Sequence, residues 1–126
     1  MAQKSTSKAV LNSIVSRAHY LANQMIFQAN VRKDKAKGDP KVGGHSSASS
    51  SAIHIMGALH LIAKTGFDHV ANKPHASPAD HAFNYLLDLF FHKEGHRFNQ
   101  EEKNKVMMRL RAFPNEEYPD VFQSYH

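Results

Sequence analysis

The chain has 126 residues, 41% of them hydrophobic and 21% charged, which suits one globular domain and argues against disorder throughout. It contains no cysteine, so a disulfide framework and a cysteine-ligated zinc site are excluded. Its net charge of +5 at pH 7 permits phosphorylated small molecules or nucleic acid as ligands. The first ten residues are polar, and no apolar run reaches the roughly 20 residues that span a bilayer, so we expect a cytoplasmic protein with no membrane partner.

The first predicted element is an amphipathic helix from Ser7 to Ala29, capped by Ser7. Its apolar residues recur at intervals of three and four, the spacing of one helical face: Val10, Ile14, Ala18, Leu21, Met25 and Ala29. Residues 1–6 before it are expected to be flexible. The charged, glycine-containing segment from Val31 to Gly44 predicts a loop. Its basic residues are interspersed with acidic ones, so we interpret the cluster as solvated rather than as a nucleic-acid site.

A second helix is predicted to begin within the serine-rich stretch Ser46 to Ser51 and to end at Gly66. Its inward stripe is expected to consist of Ala48, Ala52, Ile55, Met56, Leu59 and Ala63. The short segment from Phe67 to Ala71 predicts one buried strand.

Two more helices are predicted beyond this strand. Ser77, followed by a proline and an acidic first turn, indicates the start of a third helix that runs to about His92. The inward residues of this helix are expected to be Ala82, Tyr85, Leu86, Leu89 and Phe90. Asn99 followed by Glu102 is the pattern of a capping box and predicts a short fourth helix to about Arg111.

Residues 112–126 contain two prolines and no clear period, which predicts an irregular tail. Several aromatic residues lie in it, and we expect them to need a surface to pack against. The predicted fold is therefore mostly α, with one or few short strands, in a single domain over residues 1–126.

Two motifs carry residue types suited to anion or carbonyl chemistry. The first is Asp39-Pro40-Lys41-Val42-Gly43-Gly44-His45, where paired glycines let backbone amides approach a ligand and the following helix start favours an anion. The second is Lys73-Pro74-His75-Ala76-Ser77-Pro78, which follows the predicted strand, a usual place for a ligand site. Taken singly, each motif is more often a turn. No metal site is predicted, since the closely spaced His92 and His96 lack an acidic third ligand.

Together and in this order, the two motifs resemble the opening of transketolase-like thiamine-diphosphate enzymes. The forms Val42-Gly43-Gly44-His45 and Lys73-Pro74-His75-Ala76-Ser77-Pro78 look closest to homodimeric pyruvate dehydrogenase decarboxylating components. Tyr118-Pro119 and Gln123-Ser124-Tyr125 resemble the approach to that family's next loop. The resemblance covers about Val31 to His126 and implies part of an α/β thiamine-diphosphate-binding domain.

The resemblance also implies roles for particular residues. His45 and His75 would be catalytic imidazoles near the cofactor's diphosphate or the oxygens of the substrate. The implied contacts to the cofactor come from Gly43, Gly44, His45, His75 and Ser77. Thiamine diphosphate and magnesium would be the cofactors of the full family enzyme, with the thiamine group stabilising a carbanion.

The sequence also departs from this family. The family's magnesium motif, Gly-Asp-Gly with a downstream asparagine, is absent, and so is the pyrimidine-binding domain. We therefore expect a truncated gene product, a split subunit or a fragment. We expect this chain alone not to bind the cofactor tightly. Its expected partner is the rest of the enzyme, a second chain or a second copy of itself. The alternative is a self-sufficient small basic helical protein that binds a protein or nucleic-acid partner, as the charge and the aromatic tail would permit.

Overall fold

The computed structural model of the chain describes residues 7–33, 35, 37–38, 40–41 and 45–122. These residues are mostly helical, which confirms the predicted fold class. The elements are α1 (Lys8–Val31), α2 (Ser46–Ala58) continued by a π-helical turn (Leu59–Ala63), a 3₁₀ turn (Pro74–Ala76) that leads into α3 (Ser77–Leu86), and α4 (Gln100–Met107). β pairing within the described ranges is limited to two isolated bridges, Phe91 with Arg97 and Leu110 with Phe122. None of the helices in these ranges has the length and apolarity to cross a membrane.

Helix α1 is the central element, and its predicted position and cap are confirmed. The Ser7 hydroxyl accepts a hydrogen bond from the backbone N–H of Val10 at 3.2 Å. One face of the helix is built mainly from small buried residues, which lets α2 and α3 approach closely: Ala18, Ala22, Met25 and Ala29. The main core cluster joins this face to the inner faces of α2 and α3, with Phe83 fully buried at its centre.

The buried face of α2 matches the predicted stripe only in part: Met56 is buried and Ala52 packs against the core, as predicted. Ile55 is 66% exposed and Leu59 is 36% exposed, so neither belongs to the core. The residues that face inward are Ser49, Ile53, Met56 and Gly57. A Cβ atom added to Gly57 would lie 2.9 Å from Cγ2 of Val15 and 3.3 Å from the ring of Phe83. Close helix contact therefore requires a residue without a side chain at Gly57, while Ile53 and Met56 fill the core on either side of it.

The segment from Phe67 to Ala71 is not a strand, contrary to the prediction. It forms a turn followed by irregular chain, and Phe67 is fully exposed. The Asp68 carboxylate accepts hydrogen bonds from the backbone N–H and the hydroxyl of Thr65 at 2.8 and 2.9 Å. These local bonds fold the backbone back on itself, which competes with strand pairing.

The third and fourth helices both end earlier than predicted. Helix α3 ends at Leu86 rather than near His92, because Asp88 takes a left-handed conformation with φ of 58°. Helix α4 ends at Met107, and Arg111 is likewise left-handed, with φ of 53°. The predicted capping box of α4 is confirmed, since the side chain of Asn99 and that of Glu102 each accept the other residue's backbone N–H.

The described part of the tail, residues 112–122, has no helix but packs on the chain at its far end. The ring of Phe122 lies parallel to the buried ring of His81, with centroids 3.9 Å apart, and meets Phe90 edge-on at 5.3 Å. The predicted need of the tail aromatics for a packing surface is thus met, for Phe122, within the chain itself. The expectations for residues 1–6 and 123–126 lie outside the described residues.

Candidate functional site

The two histidines singled out from the sequence lie next to each other. His45 occupies the cap position of α2, and His75 lies in the 3₁₀ turn that leads into α3. The backbone N–H of His45 donates a hydrogen bond to the carbonyl oxygen of His75 at 3.1 Å, which joins the two loop ends directly. The packing of α2 against α3 therefore holds together two motifs that are thirty residues apart in sequence.

The two imidazole rings are hydrogen-bonded to each other. Their Nδ1 atoms are 3.0 Å apart, and the ring centroids lie 4.6 Å apart with a 50° angle between the planes. One Nδ1 must carry the proton and the other must accept it, since two protonated nitrogens would repel each other at this distance. We call this arrangement the imidazole pair. It holds a single proton between two exposed rings.

The surroundings of the imidazole pair are cationic. The protein atoms around the exposed ring displace some of its water and lower the pKa of His75, and the nearby charges of His45, Arg111 and Lys73 lower it further. The guanidinium of Arg111 lies within 3.4 Å of the carbonyl oxygen of Pro74, in the same turn as His75. The first turn of α2 adds backbone N–H groups that have no partner within the helix. This geometry suits an anionic ligand or a developing oxyanion, and a neutral His75 is able to accept a proton.

Of the other predicted cofactor contacts, the structure describes Ser77 alone. Gly43 and Gly44 lie outside the described residues. Ser77 is only 2% exposed and lies in the interior at the start of α3. Helix α3 begins at Ser77, as predicted, and the cap position before it belongs to Ala76, the last residue of the 3₁₀ turn. Within the described ranges, the exposed part of the site therefore consists of the imidazole pair and its cationic neighbours.

Sequence reasoning missed two features of this region. Arg111 had no local signal, because only the path of the chain beyond α4 brings it to the Pro74 turn. The second feature is a buried polar network in which Nε2 of His60 lies 2.8 Å from the Asp80 carboxylate, which also accepts from Asn84 at 3.1 Å. The spacing of apolar residues in the sequence places His60 on a helix. Its partner Asp80 is twenty residues away, and only the packing of α3 against the end of α2 brings the two side chains together.

Metal ligands do not cluster in the part of the chain that the structure describes, where no group of three His, Cys, Asp or Glu residues converges. A cavity of about 660 Å³ lies away from the imidazole pair, between the end of α1 and the tail. The comparisons with known proteins gave no match to a family model, to a curated protein or to a solved structure.

Proposed function

We propose that this chain is the leading part, or a split subunit, of a cytoplasmic thiamine-diphosphate-dependent enzyme of the transketolase and pyruvate dehydrogenase type, and that it has no catalysis of its own. The observation that supports the proposal is the contact between His45 and His75 at 3.0 Å. These are the two residues to which the resemblance assigns active-site roles.

The residues of the site fit a diphosphate or a substrate oxygen. Lys73 and Arg111 flank His75, and cations of this kind attract phosphate groups. In the assembled enzyme, the imidazole pair would orient the carbonyl oxygen of the substrate and move a proton to or from it. Thiamine diphosphate, when bound, supplies the stabilisation of the carbanion. The magnesium ligands and the pyrimidine site would come from the remaining part of the enzyme, since this sequence lacks the magnesium motif.

Titration calorimetry of the isolated chain with thiamine diphosphate and magnesium tests whether the site is incomplete. The expected result is no tight binding, because the magnesium ligands are missing from the chain. Tight binding by the chain alone would contradict the proposal that a second part is required.

Activity of the assembled enzyme tests the roles of the histidines. His45→Ala and His75→Ala should each lower turnover on the order of a hundredfold or more, the usual effect of losing one proton-transfer or electrostatic contact. His69→Ala is the matched control, since His69 is exposed and lies in the same connecting segment. Wild-type turnover in both site variants would show that the roles implied by the resemblance are wrong here.

A second candidate function is a small basic binding protein, and one observation favours it. The 660 Å³ cavity is lined by Arg32, Lys33 and Arg109 and by one acidic residue, Glu117, and the buried guanidinium of Arg109 lies over the ring of Tyr118, which also lines the cavity. Cations beside an aromatic ring suit a nucleic-acid backbone and its bases. Binding to duplex DNA that weakens steeply with salt would favour this function, whereas no binding at low salt would remove its nucleic-acid form.

A further inference from the structure

A concave site lies between the end of α1, the residues that follow α4 and a turn of the tail. Its volume is about 660 Å³, and we call it the α1–tail cavity. Sites for small ligands usually measure roughly 300–1,000 Å³, so this cavity is large enough for a molecule of mononucleotide size. The histidines of the imidazole pair do not line it, so the cavity and the pair are separate sites.

Hydrogen bonds between distant parts of the chain hold the walls of this cavity in place. The guanidinium of Arg32, at the end of α1, donates to the carbonyl oxygen of Leu110 at 2.9 Å. In the tail, the backbone N–H of Tyr118 donates to Oδ1 of Asn115 at 2.7 Å, and the backbone N–H of Asn115 donates to the carbonyl oxygen of Tyr118 at 3.0 Å. The walls therefore need little reordering when a ligand enters, which lowers the cost of binding.

The lining of the cavity carries an excess of positive charge. Among the described lining residues, the cations are Arg32, Lys33 and Arg109. One exposed carboxylate, that of Glu117, opposes them, which leaves an excess of two positive charges. Arg109 is 7% exposed, and its guanidinium donates to the carbonyl oxygen of Phe113 at 3.1 Å, so its charge is held at a fixed position away from bulk water. A phosphate monoester carries about −1.5 to −2 charges at pH 7 and matches this excess, whereas one carboxylate offsets only half of it.

Other lining residues are apolar or aromatic. Val31 and Met108 are 54% and 51% exposed, although both line a concave surface. The Tyr118 ring is partly buried, and Cζ of Arg109 lies 4.8 Å from its centre. A ligand with a planar, largely apolar body would cover these side chains and gain free energy from their burial. An inorganic anion would leave them in contact with water.

We propose that the α1–tail cavity binds a small organic phosphate that carries a planar ring, a molecule of mononucleotide size. The phosphate group lies against Arg32 and Arg109, whose planar guanidinium groups fit phosphate oxygens. The ring covers Val31, Met108 and Tyr118. A duplex nucleic acid would meet only the rim of a cavity of this size, so the concave shape favours the small ligand.

Titration calorimetry with adenosine monophosphate, adenosine and inorganic phosphate tests the proposal. The monophosphate should bind at one saturable site and more tightly than either of the other two probes, because each of these offers only one part of the ligand. The midpoint of thermal unfolding should also rise with the concentration of the monophosphate, since this ligand binds the folded chain.

Two variants with matched controls locate the site. Lys33→Gln removes one lining cation and should weaken binding of the monophosphate about threefold to tenfold, the range expected for one charged contact, whereas Lys37→Gln removes an exposed cation of the same segment outside the cavity and should bind like the wild type. Tyr118→Leu removes the ring and should weaken binding about tenfold, whereas Tyr20→Leu, at an exposed position of α1, should not. Helicity by circular dichroism establishes that each variant is folded.

Several results would overturn the proposal. One is the absence of saturable binding of the monophosphate, and another is wild-type affinity in both Lys33→Gln and Tyr118→Leu. Equal losses in Lys33→Gln and Lys37→Gln, or inorganic phosphate that binds as tightly as the monophosphate, would indicate unspecific attraction to a basic surface. Displacement of the monophosphate by duplex DNA would make the cavity part of a nucleic-acid surface. Loss of binding in His45→Ala would place the ligand at the imidazole pair instead.

Discussion

Acidification should destabilise the fold through His81, a buried residue of α3 whose ring packs against Phe122 of the tail. Burial lowers the pKa of this imidazole from 6.5 to about 4, and the neighbouring Asp80 carboxylate only partly opposes the shift. The folded state therefore holds the ring neutral, stacked on Phe122 with the centroids 3.9 Å apart. Protonation would place a charge in the interior, so the unfolded chain takes up a proton more readily.

The sign and size of the effect follow from proton linkage. Between about pH 6.5 and pH 4 the unfolded state binds more protons at this position, so the free energy of unfolding falls as the pH falls. The stability is fully present above pH 6.5 and is lost progressively towards pH 4. A difference of about 2.5 pKa units corresponds to a loss of roughly 3 kcal/mol at most.

Urea unfolding at several pH values between 4 and 7 measures this loss. His81→Phe keeps an aromatic ring against Phe122 but has no titrating group, so the stability of this variant should depend less steeply on pH than that of the wild type. His54→Gln, which replaces an exposed imidazole on α2, should keep the wild-type slope. Equal slopes for wild type and His81→Phe would refute the reasoning, because they would show that His81 takes up no proton on unfolding.

Three further predictions concern packing and capping, and each is read as a change in the free energy of unfolding at neutral pH. Phe83→Ala should cost about 3–5 kcal/mol because the ring is fully buried. Leu59→Ala should cost less, about 1–2 kcal/mol, because Leu59 is 36% exposed, and similar losses for the two variants would contradict the placement of the core. Gly57→Val should cost about 1–3 kcal/mol, since its side chain would overlap Val15 and the Phe83 ring, and an unchanged stability would mean that α2 lies farther from α1 than described. Asn99→Ala should cost about 1 kcal/mol by removing the capping box of α4, and a neutral result would show that the cap does not hold this helix.

The parts of the fold that the sequence predicted correctly depend on local interactions. The position of α1 follows from a long apolar period with a serine before it, and the start of α4 follows from a box of two side chains three residues apart. Such signals depend on residues within one or two helical turns of each other, so they predict these helices correctly without knowledge of the tertiary contacts.

The features that sequence reasoning missed depend on tertiary contacts. The inner face of α2 is set by how closely it approaches Val15 and Phe83, which favours Gly57 over larger neighbours. The early end of α3 depends on a left-handed Asp88, a conformation that no strong local signal announces. The predicted strand after Thr65 finds no partner strand in the described chain, so the segment instead forms the turn that the hydrogen bond from Thr65 to Asp68 stabilises.

The candidate site was predictable in part. The two motifs identified His45 and His75, and their resemblance to one family implied a shared site. The direct contact between the imidazoles and the contribution of Arg111 depend on the packing of α2 and α3 and on the path of the tail, which no spacing in the sequence specifies.

The DNA that follows the codon for His126 tests the proposed function most directly. If the chain is the leading part of a thiamine-diphosphate enzyme, the same or an adjacent reading frame should encode a Gly-Asp-Gly motif with an asparagine downstream of it, and this product should restore cofactor binding when it is produced together with the chain. A neighbouring sequence without such a frame, in a cell where the chain is nevertheless made and purified without a partner, would contradict the proposal and favour an independent binding protein.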